Sequence, residues 1–250
     1  MHPPSTRAAA LAMLRSGRSL NRTSREVGVS RSTLRVWLRH DGAYAPRVKA
    51  RATCPRDGDL DEVAYAHLLG LYLGDGCLSA HARSVFALRV ACDSRYIDLL
   101  DECEASMRAV VANSVSRNPA EGCVHVTSYS KHWPCLFPQH GPGRKHERPI
   151  VLEAWQRDIV ERHPGRFLRG LFHSDGCRVL NHVSREVAGE RRHYAYPRYF
   201  FSNRSEDILA LCEWGLDLLG VAHRRSNRWN VSVARREAVA RLDEVVGPKS

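Results

Sequence analysis

Lysine is scarce in this chain, with four among 250 residues, at 49, 131, 145 and 249, so the net charge of +11 rests almost wholly on arginine. No C-x-x-C pair occurs among the eight cysteines (54, 77, 92, 103, 123, 135, 177 and 212), several of which sit in apolar runs; they read as reduced thiols. Cys123, His125, His132, Cys135, His140 and His146 crowd together in sequence, but without that tight spacing they are not assigned a zinc ion. There is also no uninterrupted apolar run of the roughly 18 to 20 residues that span a bilayer, and no apolar signal-peptide stretch at the start. A cytoplasmic protein without membrane contact is expected. Acids are nearly missing from residues 1–53, which hold ten Arg and one Lys against Glu26 and Asp41. This stretch therefore carries +9 of the +11, a concentration that points to a polyanion as partner.

Within that basic stretch, Ala8 to Ser16 favours helix and Gly17 follows as a stop. In "SLNRTSREVGVSRSTLRVWLRHDG", Leu20, Thr23 and Val27 share a helical face, and Gly28 suits a turn with positive φ. Ser30 can cap a second helix that presents Leu34, Trp37 and Leu38. Helix, glycine turn and capped helix at this spacing resemble the helix-turn-helix domains of transposases, resolvases and bacterial regulators. In such domains the N-terminal residues of the second helix face base edges, which makes Arg31, Ser32 and Arg35 the DNA-binding candidates. The "DGAYAPRVKARATCPRDGDLD" that follows has breakers and no periodicity, so it reads as a linker.

The rest of the chain contains a repeat. "HLLGLYLGDGCL" (His67 to Leu78) and "FLRGLFHSDGCR" (Phe167 to Arg178) align without a gap at an offset of 100, sharing Leu68/Leu168, Gly70/Gly170, Leu71/Leu171, Asp75/Asp175, Gly76/Gly176 and Cys77/Cys177. Asp61 can cap the first helix, whose apolar surface nearly encircles it, as on a helix buried on most sides. Gly70 and Gly74 in one copy, and Gly170 and Ser174 in the other, leave a strip of small residues along which two backbones can approach. Each helix then ends on Asp-Gly. Helix C-terminal carbonyls carry partial negative charge, so an aspartate there is disfavoured by a few tenths to about 1 kcal/mol. A divalent cation between two such carboxylates reverses the sign.

These paired segments resemble the two namesake motifs of the LAGLIDADG homing endonucleases. "LLGLYLGDG" matches well, and in "FLRGLFHSDG" Arg169 and His173 replace more usual residues. The resemblance implies an α+β fold: two α-β-β-α-β-β-α halves, pseudo-symmetric, whose sheets grip the DNA major groove. It also implies that Asp75 and Asp175 hold Mg²⁺ for hydrolysis of both strands of double-stranded DNA. The expected organisation is a helix-turn-helix domain at 1–45, a linker at 46–60, a first half at 61–160 and a second at 161–250, acting as a monomer with no obligatory protein partner.

The order of segments fits those halves. "VFALRVAC" is β-rich, "SRYIDLLDECEASMRAV" is a helix with Ile97, Leu100, Cys103 and Met107 on one face, and "CVHVTSYS" is a later strand. In the second half "YPRYFFSN" mirrors the first strand pair, "SEDILALCEWGLDLLG" is a helix capped by Ser205, and "RWNVSVARR" supplies the last strand. Tyr194, Tyr196, Tyr199, Phe200 and Phe201 are candidates for stacking on bases, with Phe200 or Phe201 assigned to the core. Endonucleases of this family usually place a lysine or other polar side chain near the metals. Lys49 and Lys249 are read as lying outside the fold, which leaves Lys131 and Lys145 as catalytic candidates. Arg224, Arg225 and Arg228 form a local basic patch expected to contact DNA. The alternative reading is a non-cleaving transcription regulator on the same fold, since relatives that lost cleavage serve that role; a weaker third is a transposase or recombinase, suggested by the N-terminal module alone.

Overall fold

The computed structural model describes residues 2–39, 54–187, 189–247 and 249. They fall into two units, Met1–Thr53 and Cys54–Ser250. Most of the expected linker, Lys49 included, lies outside the described residues, whereas residues 54–60 belong to the larger unit and include a 3₁₀ turn at Pro55–Asp57.

The smaller unit holds α1 (Pro4–Arg15), α2 (Leu20–Val27) and α3 (Arg31–Arg39). Ser19 caps α2 by accepting the Arg22 N–H, and Gly28 turns the chain at φ 65°. Ser30 Oγ accepts the Thr33 N–H at 3.2 Å, the expected cap of α3. Ala10, Val29 and Leu34 form the buried centre, with Leu14, Leu20, Val27 and Trp37 packed around it. Leu38 departs from expectation: it is 40% exposed, because so small a core takes the Leu34 and Trp37 stripe and leaves the next position at the rim.

The larger unit runs through α4 (Glu62–Asp75), β1 (Gly76–His81), β2 (Val85–Asp93), α5 (Ile97–Val110), β3 (Val115–Ala120), β4 (Cys123–Ser130) and the short α6 (Trp133–Leu136). After α7 (Ala154–Arg162) the pattern repeats as α8 (Pro164–Asp175), β5 (Gly176–Val187), β6 (Glu190–Ser202), α9 (Glu206–Leu218), β7 (Arg224–Asn227), β8 (Asn230–Val233) and α10 (Arg236–Val246). The two sheets are antiparallel and share one topology, β1-β2-β4-β3 and β5-β6-β8-β7. This is the duplicated α+β architecture that the repeat led us to expect.

At its centre α4 lies along α8. Every residue from Ala64 to Leu73 is buried, as the encircling apolar surface requires. The contact is backbone to backbone: a methyl group added at Gly70 would stand 2.4 Å from the Phe167 carbonyl oxygen, and one at Gly170 would stand 2.2 Å from that of His67. At Gly74 the same methyl would strike the Ser174 hydroxyl, which is itself turned back onto the Gly170 and Leu171 carbonyls. The four small residues thus mark the seam between the helices.

Two expectations need correction. Ile97 is 56% exposed, since the buried stripe of α5 is Leu99, Leu100, Cys103, Met107 and Val110, and Ile97 is only the helix's first residue. The second hairpin is far longer than "YPRYFFSN", pairing Gly176 with Phe201 and continuing to Val187 with Glu190. Beyond the sheet its ribbon is mostly exposed on both faces, so its sequence lacks an apolar alternation. Of the aromatics on β6, Phe201 and Tyr199 are buried and Tyr194 is exposed.

Candidate active site

Asp75 and Asp175 are the last residues of α4 and α8, and the seam brings these two ends together: the Gly74 methyl position lies 3.0 Å from Asp175 Oδ2. Asp75 reaches solvent and Asp175 is half-buried, so ligands have access to both. Burial, then the charge of Asp75, push the Asp175 carboxyl up to about 6, against the pull of the Asn203 amide and the Lys145 and Lys249 ammonium groups. Partial desolvation also raises Asp75, opposed by Lys145 and Lys249. Neither acid is comfortable as an anion.

Both helix ends are met by a lysine. Lys145 Nζ donates to the carbonyls of Tyr72, Leu73 (3.1 Å) and Gly74 (2.8 Å), the last turn of α4. Its loop is set by Gly143 at φ 76° and by Arg148, which donates to the Gly143 and Gln139 carbonyls. Lys249 Nζ donates to the carbonyls of Ser174 (3.4 Å) and Gly176 (2.6 Å) at the end of α8. This overturns the reading of Lys249 as outside the fold: α10 delivers it back to the site, its last carbonyl, that of Val246, being held by Arg169 and His173. A cation on terminal carbonyls offsets the partial negative charge that disfavours the aspartates. Burial lowers Lys145 to about 8, opposed by Asp175 and Asp75, and lowers Lys249 in the same sense. Lys131 stands exposed just past β4 and makes no hydrogen bond to either acid.

The halves are not equivalent around their acids. Asn203 Nδ2 donates to Asp175 Oδ2 at 2.7 Å, and its oxygen accepts the Ser205 N–H, which fixes the amide's orientation. In the first half the matching strand register puts the buried Cys92 there. On one side a cleft of about 680 Å³ is lined by Gly74, Lys145, Asp175, Asn203 and Arg204. On the other, a smaller cavity of about 280 Å³ is lined by Asp75, Asp93, Arg95, Ser174 and Lys249.

The arginine candidates fare differently. Arg31, Ser32 and Arg35 all lie on the exposed side of α3, with Arg31 donating to Asn21 and Ser32 bonded to Ser30. Arg224 is exposed, and Arg228 lies over the Trp229 ring at 4.3 Å. Arg225 is committed elsewhere: it forks onto Glu213 at 2.9 Å and pairs with Glu206, so its charge ties β7 to α9. Lys249, Asn203 and Arg204 were not foreseen. The interval from Asp175 to Lys249 nearly equals that from Asp75 to Lys145, a signal that would have found the first of them.

No protein-family model and no curated protein matches the sequence. Among solved structures, the chain is similar to mesophilic variants of the homing endonuclease I-DmoI, with 16% identity over 75% of this chain and 92% of that one and a TM-score of 0.49. It is also similar to the N-terminal LAGLIDADG domain of DUF199/WhiA (14% identity, 76% and 83% covered, TM-score 0.47) and to the meganuclease I-AabMI bound to uncleaved DNA (10% identity, 72% and 83% covered, TM-score 0.44). With its two motifs, its two identically ordered sheets and its acids paired at the ends of abutting helices, the chain has the α+β LAGLIDADG fold.

Proposed function

We propose that this protein is a site-specific DNA endonuclease of homing type, acting as a monomer in which each half attacks one strand of a duplex. The observation that carries this reading is the convergence of Asp75 and Asp175 on one seam, with a lysine on each helix end. Two carboxylates raised by desolvation, and in Asp175 also by its neighbour's charge, fit a divalent cation, since its positive charge offsets both the desolvation and the repulsion. Their hard oxygen donors suit Mg²⁺ or Mn²⁺. Bound there, such an ion supplies activation of water and stabilisation of the leaving oxygen. The chain's own groups do the rest. Asn203 orients the Asp175 carboxylate, and Arg204 offers a guanidinium to phosphate on the wall of the larger cleft. Lys145 Nζ, its three N–H groups held by the Tyr72, Leu73 and Gly74 carbonyls, fixes a positive charge beside both acids, where it would offset negative charge that develops on the phosphate. The basic α3 and the exposed ribbon of β5 and β6 supply elements of the size that a major groove admits.

The deciding measurement is double-strand cleavage of a randomised DNA library in Mg²⁺, with selection of cut sites. The full chain should yield a cut site, and Asp75→Asn or Asp175→Asn should abolish double-strand cutting while leaving the footprint on that site intact. Full cutting by the double variant would overturn the assignment. A footprint without nicking, indifferent to Asp75→Asn, would instead identify a regulator that uses the fold and its helix-turn-helix only to hold DNA.

A further inference from the structure

Away from the paired acids, the fold gathers three side chains that the sequence scatters. Cys54 precedes the Pro55–Asp57 turn, and His132 and Cys135 flank the start of α6. Cys54 Sγ and Cys135 Sγ lie 2.9 Å apart, across 81 residues of chain. A ring nitrogen of His132 lies within 4.8 Å of both sulfurs, and all three side chains are half-buried. No C-x-x-C was visible because one thiol comes from a distant segment.

Three uses are open to such a trio, and the geometry separates them. A nucleophilic cysteine needs access to a bound substrate, and neither Cys54 nor Cys135 lines either cavity beside the paired acids. A disulfide would use the two sulfurs and leave the adjacent His132 imidazole without a role. Two sulfurs and one nitrogen within 4.8 Å of one another supply the donor types of a tetrahedral zinc ion, with His132 and Cys135 one helical turn apart and a fourth position open; zinc–sulfur bonds of about 2.3 Å would spread the sulfurs from 2.9 Å to about 3.8 Å, within reach of a side-chain rotation. The Cys135 thiol is already oriented by its bond to the His132 carbonyl.

We propose that Cys54, His132 and Cys135 bind a zinc ion that fastens the entrance of the larger unit to α6. On binding, the two thiols release their protons to water as two zinc–sulfur bonds form, and neutral His132 donates its free nitrogen lone pair. The site is independent of the oxygen donors at Asp75 and Asp175.

The test is metal analysis of the purified full chain, followed by replacement with Co²⁺. One zinc per chain is expected, and the Co²⁺ form should show the intense near-ultraviolet charge-transfer absorption of thiolate ligation. That absorption should persist in Asp75→Asn/Asp175→Asn and disappear in Cys54→Ser and Cys135→Ser, and His132→Gln should weaken Co²⁺ binding at least tenfold. Because the unaltered chain already gives the spectrum, the result does not depend on the cysteine variants folding. Absence of the thiolate band, an unchanged Co²⁺ affinity in His132→Gln, or a Cys54–Cys135 disulfide in chain purified under reducing conditions would overturn the proposal.

Discussion

A carboxylate must be ionised to hold a divalent cation, so the raised Asp175 gives the site a pH signature. Affinity for Mn²⁺ should climb as pH rises through about 6 and level off above it. Titration of Mn²⁺ between pH 5 and 8 checks this, and Lys145→Met should move the climb to higher pH, because the ammonium helps keep Asp175 ionised. Loss of Lys145 should also slow cleavage by about 10² to 10³-fold while binding persists, the usual scale for one fixed group that stabilises developing charge. A second titration belongs to the buried histidines. His67 is lowered to about 3 and His173 to about 4, chiefly by burial, among Glu102, Arg166 and Arg169. Their folded values lie below the ordinary 6.5, so the unfolded chain takes up protons that the folded one refuses. Stability should therefore fall as pH drops from about 6.5 toward 4, by up to about 1.4 kcal/mol per pH unit for each histidine. Asp175 runs the other way between about 4 and 6, and the raised Asp75 acts in the same sense. His67→Phe, which installs the residue of the second copy, Phe167, should flatten the acid limb of a melting-temperature profile. Both acids were legible in the sequence because their motifs duplicate. Asn203 was not, since its counterpart Cys92 breaks the symmetry.

Helix packing has a narrower tolerance than side-chain chemistry here. Gly70→Ala places a methyl 2.4 Å from a backbone oxygen, and Gly170→Ala places one at 2.2 Å, so α4 and α8 must separate. Each substitution should cost about 1 to 3 kcal/mol, the range for overpacking, or more because the struck atoms are backbone; urea unfolding midpoints measure it. These helices could be read from sequence because their apolar faces are continuous and their small residues recur at fixed spacing. The β5–β6 ribbon could not, because beyond the sheet it buries neither face: Leu180 and Tyr194 are exposed, and Arg185, Arg191 and Arg192 sit on it without an apolar stripe to mark strand. If that ribbon enters a groove, Arg185→Gln/Arg191→Gln/Arg192→Gln should weaken DNA binding and reduce its salt dependence by roughly one unit of log–log slope per lost phosphate contact. Arg225→Gln should act differently, lowering stability, since its guanidinium is bound to Glu206 and Glu213.

For the whole chain, charge and architecture divide unevenly. Residues 1–53 hold +9 of the +11, whereas the paired acids and both sheets lie in Cys54–Ser250. Deleting residues 1–53 should lower affinity and flatten the salt dependence of binding while leaving the cut position unchanged; a filter-binding salt series and end-mapping of the products measure both. A shifted cut or an unchanged slope would refute that division. The duplicated order of elements was legible because two motifs 100 residues apart fix where each half begins. The return of Lys249 to the second motif was hidden by its place at the far end of the chain. The two hairpins beside the acids also differ in reach. β1 has 6 residues and β5 has 12, which at about 3.4 Å each gives arms of roughly 20 and 40 Å. Laid along duplex DNA, the difference is about six base pairs at 3.4 Å per step. A molecule with near-twofold halves and unequal arms is a lopsided ruler: on a site it cuts as proposed, its protected zone should extend farther on one flank, and that flank tells which way round the protein sits.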